Sequence, residues 1–89
     1  MIDSGLVLVE WVDSRGGEGW VRLHELDAAV IKCKSVGWVV AANDELITLA
    51  PHLGTNPNDN PALPEQCCGD MTIPRCAITR IRQIKEPSQ

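Results

Sequence analysis

The sequence has 89 residues, 44% of them hydrophobic and 22% charged, and its formal net charge is −4 at pH 7. A chain of this length forms one domain and buries only about 60–65% of the surface that its unfolded form exposes. Its acidic balance excludes the overall basic footprint of a general nucleic-acid binder. We therefore expect one small domain over residues 1–85, with 86–89 as a frayed tail.

Three Trp are the only aromatic residues, because the chain has no Phe and no Tyr. The core is therefore expected to consist mainly of Val, Leu, Ile and Ala. The first residues, MIDSGLVLVEWV, lack a basic start, and Glu10 interrupts their apolar run, so they match neither a signal peptide nor a membrane span. We expect a cytoplasmic protein with no membrane partner, in which the cysteines stay reduced.

Val-rich stretches separated by turn residues predict about five short strands. In the first, GLVLVEWVDS, Val7, Val9 and Trp11 share one face, while the other face is also mainly apolar. A strand that is apolar on both faces is expected in the middle of a sheet. Asn43 and Asp44 supply the turn of the hairpin that follows. The strands are predicted at 5–14, 30–42, 46–53, 70–73 and 77–84.

Three features interrupt the strand pattern. WVRLHELDAAV, at 20–30, is the one plausible helix, because its leucines and Val30 recur at helical spacing. Gly37, inside the second strand, predicts a bulge or a sharp bend. GTNPNDNPALPEQ, at 54–66, is predicted to be a long loop, since its Pro and Asn residues disfavour regular structure.

A set of short strands with Gly and Pro at the corners favours a barrel, which removes open sheet edges. The strand, Pro-marked turn and closing strand in TIPRCAITRI fit the end of such barrels. The expected fold class is therefore mainly β: a small five-stranded SH3-like or Sm-like barrel with one short helix. This analogy concerns the fold and carries no function by itself.

The candidate metal ligands and nucleophiles are Cys33, Cys67, Cys68, Cys76, His24 and His52. Their spacing disfavours structural zinc, because the one close pair is vicinal and lacks the short spacer that lets two thiolates converge. Cys33 and Cys76, in apolar strands, are expected to pack as small hydrophobic residues. No His is placed beside Cys67 or Cys68 to activate a thiol. We expect no metal, cofactor or catalytic residue, and a small zinc-binding protein remains an alternative.

The basic residues of RCAITRIRQIK form the main candidate ligand site. Arg80 and Arg82 share one face of the last strand, and Arg75 lies at the turn before it. Guanidinium groups arranged in this way can fork onto phosphate or carboxylate oxygens. With Trp38 or Trp20 nearby, the cluster would stack a base and hold its phosphate. The competing interpretation is a solvated edge strand that its charges protect from aggregation.

The tryptophans carry two further expectations. Trp11 and Trp38 lie beside valines within predicted strands, and this setting favours packing in the core. Trp20 follows a Gly-rich turn at the start of the predicted helix. It is expected to be partly exposed, where it would contact a partner.

Four strings, VEWVDS, SVGWVV, TLAPHL and MTIPRCAI, are spread over most of residues 7–81. In these strings the chain resembles a group of small, mostly uncharacterised accessory proteins of bacteriophages and prophages. The resemblance implies action in the cytoplasm of a bacterial host. It also implies function by binding, either to a host protein or to a nucleotide signal used in antiviral defence. It brings no catalytic residues with it.

The function expected from the sequence is that of a non-catalytic, phage-type accessory binding protein. Its partner would be a host defence factor or a small anionic nucleotide held by the arginines with a Trp. An Sm-like RNA-binding module is the alternative from another class. Because a small domain with strand edges gains a pocket between protomers, we also expect a homo-oligomer.

Overall fold

The computed structural model describes residues 5–58 and 66–85. The predicted tail at 86–89 and the stretch 59–65 of the predicted loop lie outside the described residues. Two 3₁₀ turns are present, at Leu23–Glu25 and Arg75–Ala77. The described residues form the strands β1 (Leu6–Asp13), β2 (Ile31–Ala42), β3 (Leu46–Ala50), β4 (His52–Gly54), β5 (Gln66–Cys68), β6 (Met71–Pro74) and β7 (Ile78–Gln83).

Five of the strands form one antiparallel sheet in the order β6-β3-β2-β1-β7, and β4 pairs with β5 in a separate two-stranded ribbon. The mainly β, antiparallel fold is as predicted, and β1 is central, between β2 and β7. Among the described residues no ladder joins β6 to β7, so the predicted closed barrel is not found. These consecutive strands are the two edges of the sheet, and the chain passes between them through a 3₁₀ turn.

One face of the sheet carries the hydrophobic core. Its buried members come from β1, β3 and β6 and are Val7, Val9, Ile47, Leu49 and Ile73. Trp11 and Val39 are partly buried against them. Side chains alternate between the faces of a strand, so the odd-numbered residues of β1 point into the core and the even-numbered ones point to the outer face. The aliphatic core predicted from composition is confirmed.

Trp11 combines apolar packing with one polar contact. Its indole Nε1 donates a hydrogen bond to the Oγ of Ser35 on β2, at 3.0 Å. The two residues share the core face, because the β1–β2 register sets Trp11 opposite Cys33 and Val9 opposite Ser35. A partly buried indole thus finds the partner that its N–H requires.

Gly37 has a different role from the predicted bulge. The register shift in the β2–β3 ladder lies between Val39 and Ala41, beyond the glycine. A Cβ at Gly37 would instead lie 3.0 Å from the backbone oxygen of Ala50. The residue is small because the backbone of β3 approaches it closely.

The predicted helix at 20–30 is not present. The segment contains the 3₁₀ turn Leu23–Glu25, and Arg22 and Leu26 on either side of it have extended backbone angles. All of its residues are exposed. A short helix in water needs an apolar surface to pack against, and the described residues provide none to Leu23 and Leu26, which are exposed.

The ribbon of β4 and β5 was missed by the sequence analysis. Gln66–Cys68 pairs with His52–Gly54 after the irregularity at Pro51. Strand β5 has only three residues, all exposed, so it lacks an alternating apolar pattern. Cys76 also differs from its prediction, because it lies exposed in the second 3₁₀ turn and does not pack in a strand.

Candidate anion-binding site

Three basic side chains converge on one carboxylate on the outer face of the sheet. In the strand register, Glu10 of β1 lies opposite Lys34 of β2 and opposite Arg80 of β7. The Oε1 of Glu10 is 3.9 Å from the Nζ of Lys34. Its Oε2 is 4.0 Å from the Nε of Arg80 and 4.0 Å from the Nη2 of Arg82. We call Glu10, Lys34, Arg80 and Arg82 the basic cluster.

The basic cluster carries two positive charges in excess of its carboxylate. The side chain of Glu10 is 24% exposed, whereas those of Arg80 and Arg82 are 59% and 53% exposed. Distances of 3.9–4.0 Å exceed hydrogen-bond range, so the N–H donors of both guanidinium groups stay available to a ligand. Lys32 lies two residues before Lys34 and therefore on the same face of β2.

A cleft of about 360 Å³ adjoins the basic cluster. It lies where the β1–β7 ladder shifts register, between Glu10 and Trp11. At this irregularity the hydroxyl of Thr79 donates a hydrogen bond of 3.1 Å to the backbone oxygen of Glu10. The lining consists of Glu10, Trp11, Val12, Lys32, Cys33, Lys34 and Thr79. Two lysines in the lining of a small cleft suit an anion of a few atoms, such as a phosphate group.

The outer face continues from the basic cluster into an apolar region. Leu8 lies opposite both Arg82 and Val36, and Leu6 lies opposite Trp38. Across the sheet, Val36, Leu8 and Arg82 form one row, and Trp38 and Leu6 form the next row, about 7 Å further along the strands. Trp38 is half-buried and lies on the outer face, so the prediction that it packs in the core is wrong. A phosphate group and an apolar ring of one ligand would fit this sequence of charged and apolar rows.

The predicted site residues fall in three places. The structure brings Arg80 and Arg82 together on the outer face, and Trp38 lies on that same face. Arg75 is held at the β2–β3 turn, where its Nε donates to the backbone oxygen of Asn43 and its backbone N–H donates to Glu45. Trp20 is fully exposed in the segment between β1 and β2, in agreement with its predicted exposure. The helix that it was predicted to begin is not present.

Sequence reasoning missed the other half of the site. Lys32 and Lys34 in β2 have the same two-residue spacing as the arginines in β7, which sets each pair on one face of its strand. The missing step was the strand order, because β1 separates the two pairs and places Glu10 between them. Glu10 stands within an apolar run of the sequence, and its neighbours in that run include no partner for its charge.

The expectation that no histidine lies beside Cys67 or Cys68 is wrong for His52, because the pairing of β4 with β5 brings two distant stretches of sequence together. His52 lies opposite Cys68 and Leu53 opposite Cys67 in the β4–β5 ribbon, beside a cleft of about 210 Å³. In the described parts of the chain, no group of three or more His, Cys, Asp or Glu side chains could hold a metal ion. Cys67 and Cys68 are exposed thiols.

Comparisons with known proteins identify no relative of this chain. No family model, no curated protein and no solved structure matches the chain. Within residues 5–58 and 66–85, none of the helical segments has the length and apolar character needed to span a membrane. The chemistry of the candidate site is therefore inferred from its own residues.

Proposed function

We propose that the chain is a non-catalytic binding protein that holds a small phosphate-bearing ligand, of the nucleotide class, on the outer face of its sheet. The observation that supports this proposal is the convergence of Lys34, Arg80 and Arg82 on the single carboxylate of Glu10. An excess of cations with unoccupied donors is the arrangement by which proteins bind phosphate. The adjoining cleft supplies space for the group.

Each member of the basic cluster has its own part in binding. Arg80 and Arg82 present planar forks that match two phosphate oxygens, while Lys34 acts as a compact point charge. Glu10 partly neutralises the three cations when no ligand is bound. Because its negative charge also repels an anion, it weakens binding and permits release. The Trp38 row offers apolar surface to the base or ribose.

The biological setting of this proposal comes from the resemblance to phage and prophage accessory proteins. Such a protein would act in the cytoplasm of the bacterial host by sequestering a nucleotide signal. The same chain could occupy a host defence factor, and the exposed Trp20 would be a contact residue for it. We propose no catalytic step.

RNA binding by an Sm-like module is the second candidate, and the two pairs of basic residues on the outer face of the sheet support it. Consecutive strands β6 and β7 form the two edges, and a barrel of the SH3-like or Sm-like type would result if these edges met. Two pairs of basic residues, Lys32 with Lys34 on β2 and Arg80 with Arg82 on β7, would then contact successive phosphates of single-stranded RNA. The outer face would then bind an extended RNA strand along its surface rather than one small ligand in a pocket.

Titration calorimetry with three probes separates the candidates. Adenosine 5′-monophosphate, inorganic phosphate and a ten-residue oligouridylate are each added to the full chain at low salt and again at 0.2 M salt. The nucleotide proposal predicts saturable one-site binding of the monophosphate, tighter than that of phosphate alone. Binding of the oligouridylate alone, with steep loss in salt, would support the RNA candidate instead. No heat with any of the three probes would contradict both.

A further inference from the structure

The ribbon of β4 and β5 places a histidine directly opposite a cysteine. His52 of β4 is the register partner of Cys68 of β5, and both residues are exposed. Directly opposite residues of an antiparallel pair share one face, with their Cβ atoms about 4.5–5.5 Å apart. Cys67 points to the other face, where its partner is Leu53. One of two adjacent thiols therefore has an imidazole across the ladder, and the other has an aliphatic side chain.

The position of the His52 ring is indicated by the glycine that follows β5. Cys68 is the last residue of β5, and Gly69 comes directly after it with a φ of +76°. A Cβ at Gly69 would lie 3.8 Å from the Cδ2 of His52 and 3.1 Å from the Cγ of Pro51. The imidazole ring therefore lies close to the end of β5, where the thiol of Cys68 is.

A cleft and a third polar group adjoin this pair. Gln66 lies two residues before Cys68 and therefore on the same face of β5, opposite Gly54. Its Nε2 is 3.3 Å from the position that a Cβ at Gly54 would take, so the carboxamide lies across the glycine. The cleft, of about 210 Å³, is lined by His52, Leu53, Gly54, Gln66, Cys67 and Cys68. A thiol, an imidazole and a carboxamide thus share one face beside a space that accommodates part of a small peptide.

We propose that Cys68 is a modification site, at which the thiol forms a reversible mixed disulfide with a low-molecular-weight peptide disulfide such as glutathione disulfide. A thiol becomes a nucleophile when a neighbouring base takes its proton, and His52 is that base. The carboxamide of Gln66 offers donors and an acceptor to the amide groups of the reagent. The ribbon is separate from the sheet that carries the basic cluster, so this inference goes beyond the proposed function and is independent of it.

The reaction needs no reactant other than the disulfide. The imidazole of His52 takes the proton of the Cys68 thiol, and the Sγ attacks one sulfur of the reagent. A new S–S bond forms at the Sγ while the S–S bond of the reagent breaks, and the leaving thiolate takes up the proton. Cys68 is thereby oxidised, and one half of the reagent is reduced to a free thiol. An excess of free thiol drives the reverse reaction.

The rates of the two adjacent thiols test the proposal. The full chain is treated with glutathione disulfide, and the modification is followed by mass spectrometry of the tryptic fragment 35–75, whose only cysteines are Cys67 and Cys68. Cys67→Ser and Cys68→Ser each leave one of these thiols in the fragment. Both thiols are exposed, so simple access does not separate them. We expect Cys68 to react roughly fivefold faster than Cys67, and dithiothreitol to reverse the modification.

His52→Gln tests the part played by the imidazole, because glutamine is polar but does not take up the proton. In the Cys67→Ser chain it is expected to slow Cys68 by about threefold or more. In the Cys68→Ser chain it should leave the rate of Cys67 unchanged, whereas a general loosening of the ribbon would alter both rates. Equal rates for the two thiols would overturn the proposal. So would a His52→Gln substitution that leaves Cys68 unaffected or slows both thiols alike, whatever the result of the nucleotide titration.

Discussion

The carboxylate of Glu10 lies 4.0 Å from the Nε of Arg80, across the ladder that joins β1 to β7. Arg82 approaches the same oxygen, and Lys34 approaches the other from β2. The strand register therefore places cations from two strands that are far apart in sequence around one half-buried acid. This relationship makes a local positive site on a chain whose net charge is −4.

Removal of the negative charge at Glu10 should strengthen anion binding. In Glu10→Gln the cations keep their strand positions, but no fixed carboxylate competes with the ligand. We expect the affinity for adenosine 5′-monophosphate to rise severalfold, measured by calorimetry at low salt. The free energy of unfolding should fall by no more than about 1 kcal/mol, because these ion pairs are largely exposed. Weaker binding by this variant would mean that Glu10 contributes to the ligand contact itself.

Gly37→Ala should destabilise the sheet. The added Cβ would lie 3.0–3.2 Å from three backbone atoms of Ala50, which cannot move without disturbing the β2–β3 ladder. We expect a loss of about 1–3 kcal/mol in the free energy of unfolding, measured by urea denaturation. Gly16→Ala is the control, since a Cβ there meets nothing within 4 Å, and its effect should be under about 1 kcal/mol. Equal effects at both glycines would refute the close approach.

The hydrogen bond from Trp11 to Ser35 should be measurable as a coupling energy. Trp11→Phe and Ser35→Ala each remove one partner, and the double variant completes the cycle. We expect a coupling of about 0.5–1.5 kcal/mol in the free energy of unfolding, the usual net value of one hydrogen bond. Additive effects of the two substitutions would indicate that the contact contributes nothing to stability.

Arg75→Ala should separate stability from ligand binding. Its guanidinium and its backbone N–H both bind the β2–β3 turn, at Asn43 and Glu45. Loss of the side-chain contact should lower the free energy of unfolding by about 0.5–1.5 kcal/mol. The affinity for adenosine 5′-monophosphate should stay within a factor of two of the wild type. A large loss of affinity in the folded variant would place Arg75 in the site after all.

Much of the strand architecture was predictable from local pattern. The apolar faces of β1, the turn at Asn43 and the Pro-marked end of β6 all carry their signals within a few residues. The prediction of a helix at 20–30 was wrong, because the spacing of apolar residues indicates an amphipathic face but not whether another surface packs against it. Strand β5 was missed because three exposed residues carry no alternation.

The site was only half predictable, for a different physical reason. Arg80 and Arg82 share a face through local alternation, and this part was confirmed. Their association with Lys34 depends on which strands are neighbours, and that order is set by long-range pairing through β1. Arg75 is close in sequence to Arg80, but it begins the 3₁₀ turn Arg75–Ala77, and its guanidinium contacts the β2–β3 turn at Asn43. Proximity in sequence was therefore a poor guide to membership in the site.

The most direct test of the account compares Arg80→Ala/Arg82→Ala with Arg75→Ala in one calorimetric titration with adenosine 5′-monophosphate at low salt. All three side chains are arginines from the same stretch of sequence, so the comparison holds residue type constant, while the double variant removes two positive charges and Arg75→Ala removes one. We expect at least a tenfold loss of affinity for the double variant and wild-type affinity for Arg75→Ala. Unchanged affinity in the double variant would contradict the assignment of the basic cluster as the ligand site.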